Sequence, residues 1–268
     1  MCRYLGVTRS LVYYEPRPRR CDVELENAVI EEFRANRAVY GTRKLKRALK
    51  RREKPLVASK RRIGKIMSKY RLVSKYVLRR KKRKSNNDKE VNIENKPNIV
   101  ERRFDGRQPL EVVASDLTYV RVGGAWHYIC LLVDLHAREI IGYSAGRNHD
   151  AKLVRKAFYR VNADLREIHI FHTDRGTEFK NEIIDGIISA FGMKRSLSAR
   201  GTPYDNAVSE SLYNVLKTEL VFGAAFENLD DLELELFEFV NWYNNRRLHG
   251  SLDYLPPSEY KALNQRRS

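Results

Sequence analysis

The sequence predicts an α/β protein: a mixed five-stranded sheet with helices, preceded by a small basic all-helical module. Three observations predict it. From Gln108 onward, three β-rich apolar runs follow in close succession, EVVASDLTYVRV, WHYICLLVDL and EIIGYSAG, and helical and strand-like patterns then alternate. Before Gln108, apolar residues recur at helical spacing. Charge divides at the same place: residues 1–110 carry 33 lysines and arginines against 12 carboxylates, and residues 111–268 carry 19 against 22.

The elements follow in order. Residues 1–20 read as a partial helix-turn-helix tail, with Gly6 at a turn, Thr8 as a cap, and Pro16 and Pro18 ending it. Residues 21–78 read as a basic helical module. Its apolar faces carry Leu25, Ala28, Val29 and Phe33, then Leu45, Ala48 and Leu49, then Ile63, Ile66 and Met67. Residues 79–104 open with RRKKRK and continue almost without core residues, as a basic and polar linker does. Residues 105–222 hold the sheet. Gly123-Gly124 forms a hairpin turn between the first two strands. Asp150–Asn162 is a helix, Ile168–Phe171 a fourth strand, Thr177–Phe191 a second helix and Met193–Leu197 a short fifth strand. Residues 223–268 form a helical extension packed on the core, with Leu232, Leu236, Phe239, Val240 and Tyr243 on one stripe of Asp230–Arg246.

Composition narrows the class. No run of 18 apolar residues exists, and the first residues lack an apolar signal-peptide core, so the expected location is the cytoplasm. Cys2, Cys21 and Cys130 show no paired spacing, so neither a disulfide framework nor a Cys-based zinc site is supported. All six histidines lie at or after His127, so the N-terminal third cannot hold a His-Cys zinc module. The basic excess of that third points to a polyanion, because cationic surfaces release counterions from DNA.

The chemistry-bearing stretch is GTPYDNAVSESLYNVLKTE, Gly201–Glu219. Gly-Thr-Pro turns the chain, Asp205 or Asn206 can cap, and a helix follows from about Asn206 to about Leu220. Glu210 shares one helix face with Asn206, Asn214 and Lys217. Taken alone, that face suits a solvated helix. Two further carboxylates, Asp116 and Asp174, sit where a short apolar β-rich run meets polar residues, on a strand or at its carboxyl end. Between Asp116 and Asp174 lie 57 residues, and between Asp174 and Glu210 lie 35. Three carboxylates on two strands and a helix can converge as hard-oxygen ligands for Mg²⁺ or Mn²⁺. A pair of such ions serves in-line phosphoryl displacement. Asp134 also ends a strand, but its order and spacing suit a turn role.

The triad spacing, with a lysine seven residues after the glutamate, resembles the catalytic core of the retroviral-integrase and transposase superfamily. The words HTDRGTEF, GTPYDNAVSESLYNVLKTE and FVNWYNNRRLHGSLDYLPPSEY resemble the second-reading-frame, catalytic protein of bacterial insertion-sequence transposases. The strand and helix order is similar to the ribonuclease-H-like fold. The resemblance implies that Asp116, Asp174 and Glu210 are catalytic and hold two Mg²⁺ or Mn²⁺ ions per active site. It implies strand cleavage at the ends of a mobile element and transfer of the freed end into target DNA. On this reading Lys217 holds a DNA phosphate, and His172 and Asn206 support the acidic residues. Arg43, Lys44, Arg47, Arg61 and Arg62 form a DNA face of the helical module, and Arg79, Arg80, Lys81, Lys82, Arg83 and Lys84 contact phosphates. The implied partners are DNA, further copies of the chain, and a protein from an upstream frame that supplies the remaining helices of the helix-turn-helix. The implied place is the bacterial cytoplasm, at the nucleoid. A DNA-binding regulator with a decayed site and a ribonuclease-H-like nuclease are the alternatives.

Most non-specific DNA affinity is expected in residues 1–104, and a chain beginning near Gln108 is expected to fold and bind DNA weakly. With six or more phosphates contacted, affinity for DNA of arbitrary sequence should fall by roughly a thousandfold between about 50 and 200 mM salt. Fluorescence anisotropy across that range checks it; a flat response would show that charge does not drive binding.

Overall fold

The computed structural model describes residues 4, 6, 8, 23–79, 98–100, 106–198 and 207–265. Most of the predicted tail and linker, including Arg80, Lys81, Lys82, Arg83 and Lys84, lies outside the described residues, as does Asn206. Among the described residues the first helices are α1 (Val23–Ala35), α2 (Thr42–Lys50), α3 (Lys60–Lys69) and α4 (Lys75–Leu78). Ser59 caps α3 by accepting from the Arg62 N–H, and Ser74 caps α4 by accepting from the Tyr76 N–H.

The sheet comprises β1 (Val112–Val122), β2 (Ala125–Asp134), β3 (Glu139–Gly146), β4 (Ile170–Thr173) and β5 (Lys194–Leu197), in the spatial order β3-β2-β1-β4-β5. β1, β2 and β3 are antiparallel, while β4 runs parallel to β1 and β5 parallel to β4. The β1–β2 hairpin turns on Gly123 and Gly124, with φ of +53° and +85°. A Cβ on Gly123 would also stand 2.7 Å from the Glu227 carbonyl oxygen, so the turn admits only glycine there.

Asp150 caps α5 (Ala151–Tyr159). The predicted helix Thr177–Phe191 is divided. A 3₁₀ turn covers Thr177–Phe179, and Asn181 then caps α6 (Glu182–Ala190) by accepting from the Ile184 N–H. An asparagine side chain that bonds nearby backbone competes with a continuous helix. The chain continues as α7 (Ala207–Leu216), a π-helical turn (Lys217–Val221), α8 (Leu229–Asn245) and α9 (Pro257–Gln265). Among the described residues no helix is long and apolar enough to cross a membrane.

Strand alternation divides the core. Val113, Cys130, Leu132 and Phe171 pack on one face against α5 and α6. Val120, Val122, Ile129, Leu131 and Val133 pack on the other, against Leu212 and Leu216 of α7 and Leu236 and Phe239 of α8. That second cluster does not stop at the sheet. It runs on without a break into Val29, Tyr40, Leu45 and Leu49 of the N-terminal helices. Tyr40 Oη accepts from the Leu248 N–H at 2.7 Å, and Trp242 Nε1 donates to Asn36 Oδ1 at 3.4 Å. The N-terminal module is therefore part of the main core. Removing residues 1–104 would bare the apolar flank of α8, which corrects the expectation that the remainder folds by itself. Neutralising charges in place is the sounder way to separate DNA affinity from folding.

One ion pair fastens the same junction. Glu219, fully buried in the π-helical turn, accepts from Arg247 Nε at 2.7 Å and Nη2 at 2.8 Å, and from Tyr76 Oη at 2.5 Å. Its backbone carbonyl accepts from Lys75 Nζ at 3.2 Å and Arg37 Nε at 3.5 Å. Burial alone would favour a neutral Arg247, but the Glu219 carboxylate outweighs it and holds the guanidinium charged. Leaving either charge alone in this site should cost about 3–5 kcal/mol, because the survivor is buried without its opposite charge. In denaturant unfolding, Glu219→Leu and Arg247→Leu should each be strongly destabilising, and the double variant less so than their sum. Additive losses would show that the two charges do not depend on each other.

Candidate active site

The β1–β4 register explains the spacing of the two aspartates. Val112 pairs with Ile170, Val113 with Phe171 and Ala114 with His172, a constant offset of 58 residues. Asp116 and Asp174 differ by that same offset, so Asp174 leaves the end of β4 beside Asp116. Neighbouring strands lie about 4.8 Å apart. Both aspartates alternate onto the face of Val112, Ala114 and Ile170, the face against which Val208 of α7 packs.

Tyr213 locks α7 to that face. Its phenol donates to the Asp116 carbonyl and accepts from the Leu131 N–H at 3.0 Å. Asp116 and Leu131 are directly opposed in β1 and β2, so the phenol bridges backbone groups of both strands. Burial pushes the Tyr213 phenol well above its ordinary value, with Cys130, Asp116 and Asp174 nearby adding to the effect. It therefore stays protonated and able to donate. Asp116 Oδ1 accepts from the Leu117 N–H at 2.8 Å, and Asp174 Oδ1 from the Gly176 N–H at 2.9 Å. Each strand carboxylate is held by its own backbone.

Glu210 lies one helical turn before Tyr213, exposed on α7. It stands on the element that covers the aspartates, but the three acids are not drawn tightly together. Among the described residues no three histidine, cysteine or acidic side chains lie close enough to hold a metal ion. Residues 199–206, which lead into α7, lie outside the described residues. Lys217, two turns after Glu210, extends its ammonium over the Tyr119 ring, 4.9 Å from the centroid.

Other predicted residues take varied places. His172 is buried, and its Nδ1 shares a hydrogen bond of 3.0 Å with Ser196 Oγ, which also accepts from the Ile99 N–H. It steadies β4 against β5, two residues before Asp174. Asp134 is a strand-end residue as expected: its Oδ1 accepts from the N–H groups of Leu110 and His136 at 3.2 and 3.1 Å. Arg43, Arg47, Arg61 and Arg62 are exposed, and Arg47 stacks on Tyr254. Two cations differ from the expected outward DNA face. Lys44 is drawn over the Tyr40 ring and onto a cavity of about 340 Å³ that Arg138, Arg247 and His249 also line. Burial, with Arg247 beside it, pulls Lys44 down to about 8. Burial and the same cations pull His249 down to about 2, so it is neutral. Arg79 donates to the Asn214 carbonyl at 3.1 Å and to Thr218 Oγ1, fastening the end of α7.

The sequence reading missed Glu178. This buried carboxylate lies 3.1 Å from His149 Nε2, and a Cβ on Gly176 would stand 2.4 Å from it. Gly176 is thus the readable trace of a carboxylate folded back against its own turn. Burial first, then the Asp116 and Glu178 charges, push the Cys130 thiol up to about 12, which leaves it unreactive.

Known proteins resemble this chain over most of its length. Two family models described as integrase core domain match residues 106–203 and 191–257, and one described as an HTH-like domain matches residues 20–83. The insertion element IS600 uncharacterized 31 kDa protein of Shigella sonnei is 30% identical, over 97% of this chain and 97% of that protein. The transposase for insertion sequence element IS904 of Lactococcus lactis is 29% identical, over 92% of this chain and 98% of its own length. The putative transposase InsK for insertion sequence element IS150 of Escherichia coli is 28% identical, over 97% and 92%. Among solved structures, the simian T-cell lymphotropic virus intasome in complex with PP2A regulatory subunit B56 gamma superposes with a TM-score of 0.50 at 13% identity, covering 87% of this chain and 73% of that one. The core is a ribonuclease-H-like integrase fold, preceded by a helical HTH-like region.

Replacing Tyr213 by Phe deletes one hydroxyl from this arrangement and leaves the Leu131 N–H and the Asp116 carbonyl without their bridge. The expected loss is about 1–3 kcal/mol, the cost of unsatisfied buried groups. Urea unfolding measures it; an unchanged midpoint would mean that the strands close on each other without the phenol.

Proposed function

This chain belongs to the insertion-sequence transposases that carry an integrase core domain, and we propose that Asp116, Asp174 and Glu210 carry its DNA transposase chemistry. The observation that carries the assignment is the shared offset of the β1–β4 register and the two aspartates. A coincidence of turn-forming carboxylates has no reason to obey a strand register.

The reaction is phosphoryl transfer in two steps. A water first breaks a phosphodiester at the element end and leaves a 3′-hydroxyl. That hydroxyl then attacks a phosphodiester of target DNA and displaces another 3′-oxygen. Asp116 and Asp174 fit a divalent ion by donor chemistry and by strand register, and Glu210 would complete the set from α7. When bound, Mg²⁺ or Mn²⁺ would lower the pKa of the attacking water or hydroxyl and stabilise the leaving oxygen. Tyr213 fixes the backbone that presents Asp116, and Lys217, two turns beyond Glu210, would hold a DNA phosphate. Three like charges on separate elements close together favourably only when a cation offsets their repulsion. Glu210 on the covering helix is therefore the ligand expected to move on assembly.

DNA is the partner that the HTH-like region and the integrase core both imply, and several copies of the chain would assemble on the element ends. The exposed Arg43, Arg47, Arg61 and Arg62 supply phosphate contacts, with Lys44 and Arg79 serving the fold instead. Asp116→Asn, Asp174→Asn and Glu210→Gln should each lower cleavage and strand transfer by about a hundredfold or more, as loss of a preorganised charge-stabilising group does. DNA affinity should stay within a small factor of the unaltered chain. Full activity in any of the three would sink the site assignment, and cleavage that survives thorough chelation would remove the metal from it.

A further inference from the structure

The β1–β2 hairpin carries a patch that the triad does not use. β4 pairs with β1 only as far as Ala114, so the distal half of β1 extends past its parallel neighbour. On that half Tyr119 opposes Tyr128, and Arg121 opposes Trp126. Alternation puts these four side chains on one face of the hairpin. Tyr119 and Trp126 remain 55% and 52% exposed. They are in contact, edge to face, with centroids 5.1 Å apart. A cation covers each: Arg121 lies 5.4 Å from the Trp126 ring centroid and Lys217 4.9 Å from that of Tyr119. Single exposed aromatics are ordinary on soluble proteins, but two in contact form a patch with a use.

The place and charge of the patch select its occupant. Tyr119 lies three residues past Asp116, about 10 Å along the strand, so alternation turns it to the sheet face opposite the carboxylate, beyond the edge of β1 that β4 leaves unpaired. Lys217 joins the patch to the helix that carries Glu210. Cations beside exposed rings suit a strand of nucleic acid, with phosphates on the cations and bases against the rings. A second copy of the chain meeting this patch face to face would set Arg121 and Lys217 against their own counterparts. We propose that Tyr119 and Trp126 form a stacking platform for the bases of an unpaired DNA strand that passes from the active site around the open edge of β1, its phosphates held by Arg121 and Lys217. The choice of DNA as the polymer rests on the transposase reading above. The platform binds the strand whose bases have left the duplex at the cleaved end, and so keeps that end open.

The chain contains two tryptophans, Trp126 and the buried Trp242, so fluorescence reports the platform directly. The probes are a thymidine oligonucleotide of about eight residues and an abasic oligonucleotide of equal length and charge, in raised salt to weaken the phosphate contribution. The thymidine strand should quench Trp126 saturably, and the abasic strand should not. Trp126→Ala should weaken thymidine binding about tenfold and leave abasic binding unchanged, whereas Trp126→Phe should keep most of the affinity. Tyr119→Ala should act in the same direction, with an unchanged unfolding midpoint because both rings are on the surface. Equal affinity for the two probes, or no loss in Trp126→Ala, would overturn the platform. So would a Trp126 signal that changes with protein concentration in the absence of DNA, which marks a second copy as the occupant. The measurement needs neither metal nor cleavage. Failed stacking with intact cleavage therefore rejects only the platform, and intact stacking with failed cleavage rejects the acidic site.

Discussion

The buried pair of Glu219 and Arg247 is the contact on which the arrangement of the modules depends. Taking a carboxylate and a guanidinium out of water is costly, and it succeeds here because two parallel N–H···O bonds and the Tyr76 hydroxyl satisfy the carboxylate. The partners come from three parts of the chain. Tyr76 and Lys75 belong to the N-terminal helices, Glu219 to the turn after α7, and Arg247 to the tail beyond α8. Since Glu219 follows Glu210 on one continuous helical segment, the N-terminal helices and the acidic site share a mechanical frame. A load on the DNA-handling helices is transmitted to α7 without crossing a flexible joint.

This frame gives physical content to the run YNNRRLHG. Arg247 is its ion-pair member, and His249 lines the same cavity as a neutral ring, because burial and the cations around it forbid protonation. Lys44 reaches that cavity from the N-terminal side. Its inward position follows from packing: the face of α2 that carries Leu45 and Leu49 is buried against Tyr40 and the tail, and Lys44 sits at the border of that face.

Local chemistry made much of the fold legible from residues alone. The Gly123-Gly124 turn, the helix that opens at Asp150 and the five strand-like runs each carry their signal within a few residues. The two aspartates were legible because each stands against an apolar run, Asp116 within β1 and Asp174 just after β4, and their meeting follows from pairing. What stayed hidden is what depends on distant partners. Glu219 and Arg247 are 28 residues apart and obey no local period. Glu178 looked like an ordinary polar residue of a helix, whereas Asn181 takes over as cap and the carboxylate turns inward against Gly176. The continuity of the N-terminal helices with the main core was likewise unreadable, because amphipathic faces do not name the surface they cover.

The strand register has a consequence for how such chains can change. Asp116 and Asp174 meet because β1 and β4 are in step, not because 57 residues separate them. Residues 147–169 hold α5 and its connections, away from the paired segments. Insertions or deletions there could lengthen or shorten the interval between the aspartates and leave the site where it is. A one-residue slip of β4 against β1 is another matter. It would turn Asp174 to the opposite face, toward α5 and α6, with every counted residue still present. Descent in such a lineage would therefore tolerate drift in spacing and purge drift in phase.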